Sequence, residues 1–337
     1  MKKIAFDFHH PKVSNAGYKA RIDVLRTACA KGYRISYIGR AFNQSVFNRI
    51  VRFLQLAYYA VLFRFSAHLV FVQFPGVCSK WWLSYLQKKT SCKLVMLIHD
   101  AECLREPGSA RSEVDLFNMV DEIIVHTPAM EAALRDLGVD VSMQVLRIFD
   151  YYVSTASKGV DSSQKNVICF CGNLQKSEFI RKLPDISVDV KFVLYGVGIK
   201  EDIAEHVVYR GTFEPDCINQ IDGGWGLVWD GSSLSTCATT HLGAYLRYNA
   251  SHKISLYLAA GKPVIVWKES AMANFVRKHG CGICVGDLRE IPELLSNLSD
   301  ADYKRYVAQA TQVGTKITKG DFLVDALNKS EIMLLTK

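Results

Sequence analysis

Short apolar runs alternate with helical patterns along the whole chain. In the first half, the runs 3–8, 34–38, 68–74, 93–98, 122–126 and 145–148 predict strands, and 17–31, 47–65, 114–120 and 128–137 carry helical spacing. In the second half, the runs 167–171, 191–195, 207–209, 226–229, 263–267 and 283–285 predict strands. Continuous apolar strands separated by helices are the pattern of parallel sheets covered on both faces. Each half therefore reads as one doubly wound, Rossmann-like α/β domain. The polar stretch 154–166, with its Ser, Thr, Lys, Asp and Gln, reads as a linker. It separates an N-terminal domain, 1–153, from a C-terminal domain, 167–319, followed by a closing segment, 320–337. Two such domains are expected to face a central cleft with the carboxyl ends of their strands.

The composition agrees with a folded chain: 49% of the 337 residues are hydrophobic and 22% charged, which excludes disorder, and 8 prolines exclude a Pro-rich architecture. Charge is unevenly spread. Residues 1–99 carry a net +14, residues 100–160 a net −6, and the remainder is neutral. A basic N-terminal unit suits an anionic membrane surface, a phosphorylated lipid or a nucleic acid. Lys/Arg runs never exceed two, so nucleic acid is the weaker reading and no nucleic-acid partner is expected.

The ten cysteines are scattered, and Met1-Lys2-Lys3 leads into the first apolar run without an h-region. The expectation is a cytoplasmic protein with reduced thiols. Cys281 and Cys284 have C-x-x-C spacing, but no second pair or histidine set completes a zinc site, so no metal is expected. Between Phe53 and Ser79 the only charge is Arg64, yet the uncharged piece before it is 11 residues, too short to span a bilayer. The helix at 47–65 sets Arg49, Arg52 and Arg64 beside Phe53, Leu56, Tyr58, Tyr59 and Phe63. It reads either as a membrane-surface element or as a core helix with a few solvated arginines.

Neither half holds G-x-G-x-x-G or a Walker A sequence; Gly196-Val197-Gly198 supplies only G-x-G. Dinucleotide oxidoreduction and ATP hydrolysis lose ground accordingly. The most informative segment runs from Gly224 to Trp267: strand, loop, a helix opening near Ser251, a Gly stop and another strand. A helix N-terminus carrying Ser251, Lys253 and Ser255 gathers free N–H groups, the helix dipole and one cation, which suits a diphosphate without a metal. The plainer alternative is a capping Ser251 and a solvated Lys253.

The segment Ser251-x-Lys253-x-x-x-Tyr257-Leu-Ala-Ala-Gly-Lys-Pro-Val-Ile265 resembles the sugar-nucleotide motif of GT-B glycosyltransferases. More closely, the chain resembles bacterial β-1,6-galactofuranosyltransferases of O-antigen and capsule assembly, and more distantly the glucosyltransferases that extend glycans on serine-rich adhesins. The matching pieces occur in order: Ala16 to Arg21, Leu97 to Asp100 with Leu104-Arg105, Ile148 to Tyr151, Cys171 to Leu174, Gly226 to Gly231, and Tyr245 to Lys253.

The resemblance implies a GT-B fold and a UDP-sugar donor, UDP-galactofuranose first. It also implies a lipid-linked or other glycan acceptor held by the N-terminal domain at the inner face of the membrane. In this reading Lys253 neutralises the diphosphate with Ser251 and Ser255. Asn173 and Lys176 follow the first strand of the second domain, Tyr195 and Gly196 pack on uracil, and Asp230 and Asn249 hold sugar or ribose hydroxyls. Gly17, Tyr18 and Lys19 sit in the loop after strand one and approach the phosphates. Asp100 is the first choice of base, His99 the second and Glu102 a reserve, since inversion requires the acceptor hydroxyl to lose its proton as it attacks. Many retaining GT-B enzymes carry Glu three residues past Lys253; Leu256 stands there, with Tyr248 eight before it. The resemblance therefore implies an inverting enzyme with no cofactor and no metal. Two alternatives share the fold: a UDP-glucose-dependent glucosyltransferase, and a non-catalytic subunit that binds a sugar nucleotide or glycan. The final helix, about 320–335, is expected to pack back on the first domain, and the sequence leaves the oligomeric state open, a homo-oligomer included.

Overall fold

A computed structural model of the chain describes residues 1–11, 16–106 and 110–335. The chain divides into two compact units, Met1–Leu146 with Phe322–Lys337, and Arg147–Asp321. The first holds strands β1 (Lys2–His9), β2 (Arg34–Arg40), β3 (His68–Phe74), β4 (Lys93–Ile98), β5 (Glu122–Val125) and β6 (Ser142–Val145). They form one parallel sheet in the order β2-β1-β3-β4-β5-β6. Every residue of β3 is buried, as expected for the middle of a sheet covered on both faces. The final helix, Asp321–Leu335, belongs to this unit; Lys3 Nζ meets Glu331 Oε2 at 2.6 Å, and Ser142 Oγ donates to Met333 Sδ at 3.0 Å.

The second unit holds β7 (Val167–Cys171), β8 (Lys191–Tyr195), β9 (Val207–Tyr209), β10 (Trp225–Val228), β11 (Val264–Trp267) and β12 (Gly282–Val285). Its order, β9-β8-β7-β10-β11-β12, is the doubly wound order in which the chain reverses direction between the first strand and the fourth. A single core of Phe170, Phe192, Leu227, Trp229, Trp267 and Tyr303, among others, lies against this sheet. Helix His252–Ala259 packs so tightly on β10 that a Cβ at Gly226 would lie 2.0 Å from Tyr257 Cγ. Helix Asp300–Lys319 presses on it from outside, where a Cβ at Gly314 would lie 2.0 Å from Leu258 O.

Three expectations change. Strand β6 is Ser142–Val145 and shares only Val145 with the predicted 145–148; Leu146 and Ile148 are buried, but Arg147 takes φ 76°, which a strand does not accommodate. Helix Ala110–Phe117 begins and ends earlier than the predicted 114–120. Residues 154–166 lie within the second unit and are stitched to it: Ser154 N and Oγ donate to Asp216 O, and Ser157 Oγ donates to Ala260 O at 2.6 Å. All ten cysteines are thiols, and burial pushes Cys281 of the C-x-x-C pair up to about 12.

Gly226→Ala is expected to lower the stability of the second unit by about 2–3 kcal/mol, because Tyr257 cannot retreat while its helix is held on two sides. Calorimetry of wild type and variant checks this; an unchanged melting profile contradicts it.

Candidate functional site

In the second unit, the loops after β7 and β10 diverge at the reversal of strand order, the place where ligands bind in open α/β sheets. Gly172 follows β7 and its N–H donates to Tyr195 O at 2.9 Å. Gly196, after β8, has φ 140°, and a Cβ there would fall 1.7 Å from Gly172 O, so the two loops touch backbone to backbone. Lys253 enters from the first turn of helix His252–Ala259. Its Cε would lie 3.0 Å from a Cβ on Gly172, its Nζ lies 4.9 Å from the Phe170 ring centroid and 3.7 Å from Asp230 Oδ2. Both side chains of that pair are about a fifth exposed, so the cation reaches solvent across a loose ion pair.

The helix opening is incompletely satisfied. Ser251 occupies the N-cap position with no side-chain capping bond, and Asn249 Oδ1 is buried without a partner. A helix start without a side-chain cap, one cation and an unpaired buried acceptor lie within a few residues of chain. Asp230 Oδ1 accepts from Gly231 N at 2.9 Å, which fixes the carboxylate beside Lys253.

Other expected residues are placed differently. Ser255 is fully buried and its Oγ donates to Phe149 O at 2.7 Å, so it faces away from Lys253. Tyr195 is buried; its hydroxyl donates to Gln220 O at 3.2 Å and accepts from Asp222 N at 3.0 Å, while its ring meets Phe213 edge-on. Asn173 and Lys176 are exposed, with Asn173 Oδ1 accepting from Gln175 N and Lys176 N at 3.1 Å to close the turn. Gly17, Tyr18 and Lys19 lie in the first turn of helix Ala16–Ala30, not in a loop, and Lys19 is buried with its Nζ 2.5 Å from both oxygens of Asp23.

In the first unit the structure assembles a polar network that sequence reading missed. Asp7 on β1 is fully buried. Arg21 Nε donates to Asp7 Oδ2 at 3.1 Å, Arg21 Nη2 to Oδ1 at 2.5 Å, and Gln73 Nε2 to Oδ2 at 3.1 Å. Phe8 N adds a bond at 2.8 Å, and His10 Nε2 stands 3.4 Å from Oδ1. Gly76 leaves room for the guanidinium; a Cβ there would lie 2.7 Å from Arg21 Nη2. Because the Gln73 amide nitrogen faces Asp7, its Oε1 faces His99 Nε2 at 2.7 Å and can only accept. His99 Nε2 is thereby held as a donor to Gln73. The signal was an acidic residue inside a buried apolar run, which must find donors.

Asp100 and Glu102 follow β4, both half-exposed. Arg105 Nη2 donates to Asp100 Oδ1 and Nη1 to Glu102 Oε1, each at 2.5 Å. Burial raises the Asp100 carboxyl above its ordinary value, against the pull of Arg105. Burial lowers the His10 imidazole, so it stays neutral to lower pH than a free histidine. Among the described residues, no three His, Cys, Asp or Glu side chains converge as a metal set.

Family models match both parts of the chain: Glucosyltransferase 3-like, N-terminal domain, over residues 3–148, and Glucosyltransferase 3-like, C-terminal domain, over residues 168–330. The chain belongs to the glucosyltransferase 3-like family. It is 30% identical over 323 residues, 94% of each chain, to beta-1,6-galactofuranosyltransferase WbbI of Escherichia coli K12. It is 26% identical to glucosyltransferase 3 of Streptococcus parasanguinis, covering 71% of this chain and 70% of that one. Among solved structures, Anabaena HepE in complex with UDP aligns with TM-score 0.62 at 13% identity, over 98% and 99% of the two chains. WaaG, a glycosyltransferase involved in lipopolysaccharide biosynthesis, aligns with TM-score 0.55 at 11% identity, over 95% and 99%. The fold is GT-B, and this member of the glucosyltransferase 3-like family is a glycosyltransferase of bacterial glycan synthesis.

Arg21→Met is expected to destabilise the first unit by about 3–5 kcal/mol, since it strands a buried carboxylate. Adding Asp7→Asn should recover part of that loss. Chemical denaturation of the two single variants and the double variant checks the pair; additive losses contradict it.

Proposed function

We propose that the chain transfers a sugar from a UDP-sugar, galactofuranose first, to a lipid-linked oligosaccharide acceptor, with inversion and without a metal. The observation that carries the reading is Lys253: a cation with solvent access, at an uncapped helix start, beside the reversal point of a doubly wound sheet. The similarity to a galactofuranosyltransferase over 94% of the chain ranks galactofuranose above other sugars.

In this reading the acceptor oxygen forms a bond to the anomeric carbon as the bond from that carbon to UDP breaks. The departing diphosphate gains negative charge, which Lys253 Nζ and the N–H groups of the helix opening stabilise. The Asp230 carboxylate and Asn249 Oδ1, both hydrogen-bond acceptors, suit hydroxyl groups. The acceptor's proton passes to Asp100, whose raised pKa makes it a better base than a solvated aspartate. His99 is the second candidate. The same chemistry serves UDP-glucose, a reading favoured by the match to glucosyltransferase 3.

UDP and one UDP-sugar should raise the melting temperature without added metal, while NAD should not. Lys253→Ala should weaken UDP binding by about 10–100-fold, the range for losing hydrogen bonds to a charged group. Absence of any shift with uridine nucleotides overturns the proposal. Asp100→Asn should abolish turnover and leave the UDP shift intact. Wild-type turnover should fall as acid protonates Asp100, at a pH above that for an ordinary aspartate; unchanged turnover in Asp100→Asn removes it as the base.

A further inference from the structure

Helix Val46–Arg64 carries two apolar stripes. One, including Leu56, Tyr59, Ala60 and Phe63, is buried in the first unit. The other, Phe47, Ile50, Leu54, Tyr58 and Val61, recurs at three- and four-residue spacing and is 52–77% exposed. Phe65 extends it at 80% exposure, and Phe53 on its flank meets the exposed Trp81 ring at 5.3 Å. A water-facing apolar stripe of this length marks an interaction surface.

The helix is long and apolar enough to cross a membrane, but its buried side is anchored to β2. Gln55 Oε1 accepts from Gly39 N at 2.8 Å, Asn48 Oδ1 from Arg40 N at 3.0 Å, and Tyr59 OH lies 2.5 Å from Ser36 Oγ. These bonds hold it lengthwise along the first unit, so it lies on a surface and does not thread one. Arg64 is exposed at the edge of the stripe, and Lys88 and Lys89 are exposed on the neighbouring helix Lys80–Lys89. No Asp or Glu occurs between Asp23 and Asp100. Two copies joined through this face would bring arginines together with no carboxylate from this stretch to offset them. An anionic bilayer supplies both an apolar interior and negative headgroups.

We propose that this face docks on an anionic phospholipid bilayer, with the exposed stripe among the acyl chains and Arg64, Lys88 and Lys89 at the phosphates. The proposal is independent of the donor reading, since vesicles and uridine nucleotides are separate ligands. Sedimentation with phosphatidylglycerol-containing vesicles tests it, with phosphatidylcholine vesicles as the reference. The full chain should bind the anionic vesicles at least tenfold more strongly, and less so as salt rises. Ile50→Ser with Leu54→Ser and Val61→Ser should abolish binding while leaving the melting profile intact. If that variant misfolds, quenching of tryptophan emission by brominated lipid replaces it; quenching should occur in wild type and vanish in Trp81→Phe. No binding to anionic vesicles, binding that survives the triple substitution in folded protein, or absence of Trp81 quenching overturns the proposal. So does a dimer in light scattering that the triple substitution dissociates.

Discussion

Parallel strands end together, so polar backbone and side-chain groups gather where the strand order reverses and must find partners there. The two units meet this constraint in opposite ways. In the first, Asp7 draws in Arg21, Gln73 and Phe8 N and fixes His99 through Gln73, so the network is closed. In the second, Lys253 faces Asp230 at 3.7 Å, Ser251 leaves the helix uncapped and Asn249 Oδ1 has no partner. A closed network is a scaffold that holds its side chains in one arrangement. An open one leaves hydrogen-bonding capacity for a ligand.

Glycine makes the open site accessible. Side chains at Gly172 or Gly196 would fill the space between the loops, and one at Gly226 would push the helix carrying Lys253 off the sheet. The cation's position therefore depends on close backbone contacts that no hydrophobic pattern reports. Its chemistry depends on a short helix whose last turns are wedged between β10 and helix Asp300–Lys319.

Much of the fold was legible because buried parallel strands are short apolar runs; 68–74, 93–98, 167–171 and 191–195 coincide with β3, β4, β7 and β8. Lys253 and Asp230 were legible from motif and strand position. Ser255 was not, because residues two apart on a helix point to opposite sides. Lys19 was misplaced because the helix starts at Ala16, which sets Lys19 one turn from Asp23. Asp7, Arg21 and Gln73 come together from separate elements, a juxtaposition that local pattern cannot contain. Helix Val46–Arg64 was ambiguous for a different reason: it is apolar on two sides, and each reading of it described one side.

The polarity of the open site constrains what fits it. Lys253 and the helix N–H groups are donors, whereas Asp230 and Asn249 Oδ1 are acceptors. A diphosphate offers only acceptors at neutral pH, and a sugar ring offers hydroxyl donors, so a sugar nucleotide complements the two ends in one orientation. Leu256, on the same face as Lys253, is buried and apolar and supplies no carboxylate to the sugar end. In the proposed reading, hydroxyl recognition falls to the segment after β10. That segment is held in place: Ser232 N donates to Thr239 Oγ1 at 2.9 Å, and a Cβ at Gly243 would lie 1.8 Å from Cys237 O. A segment so tightly held selects by hydrogen bonds already in position, and selection of that kind rejects a misplaced hydroxyl more strongly than a flexible apolar pocket does.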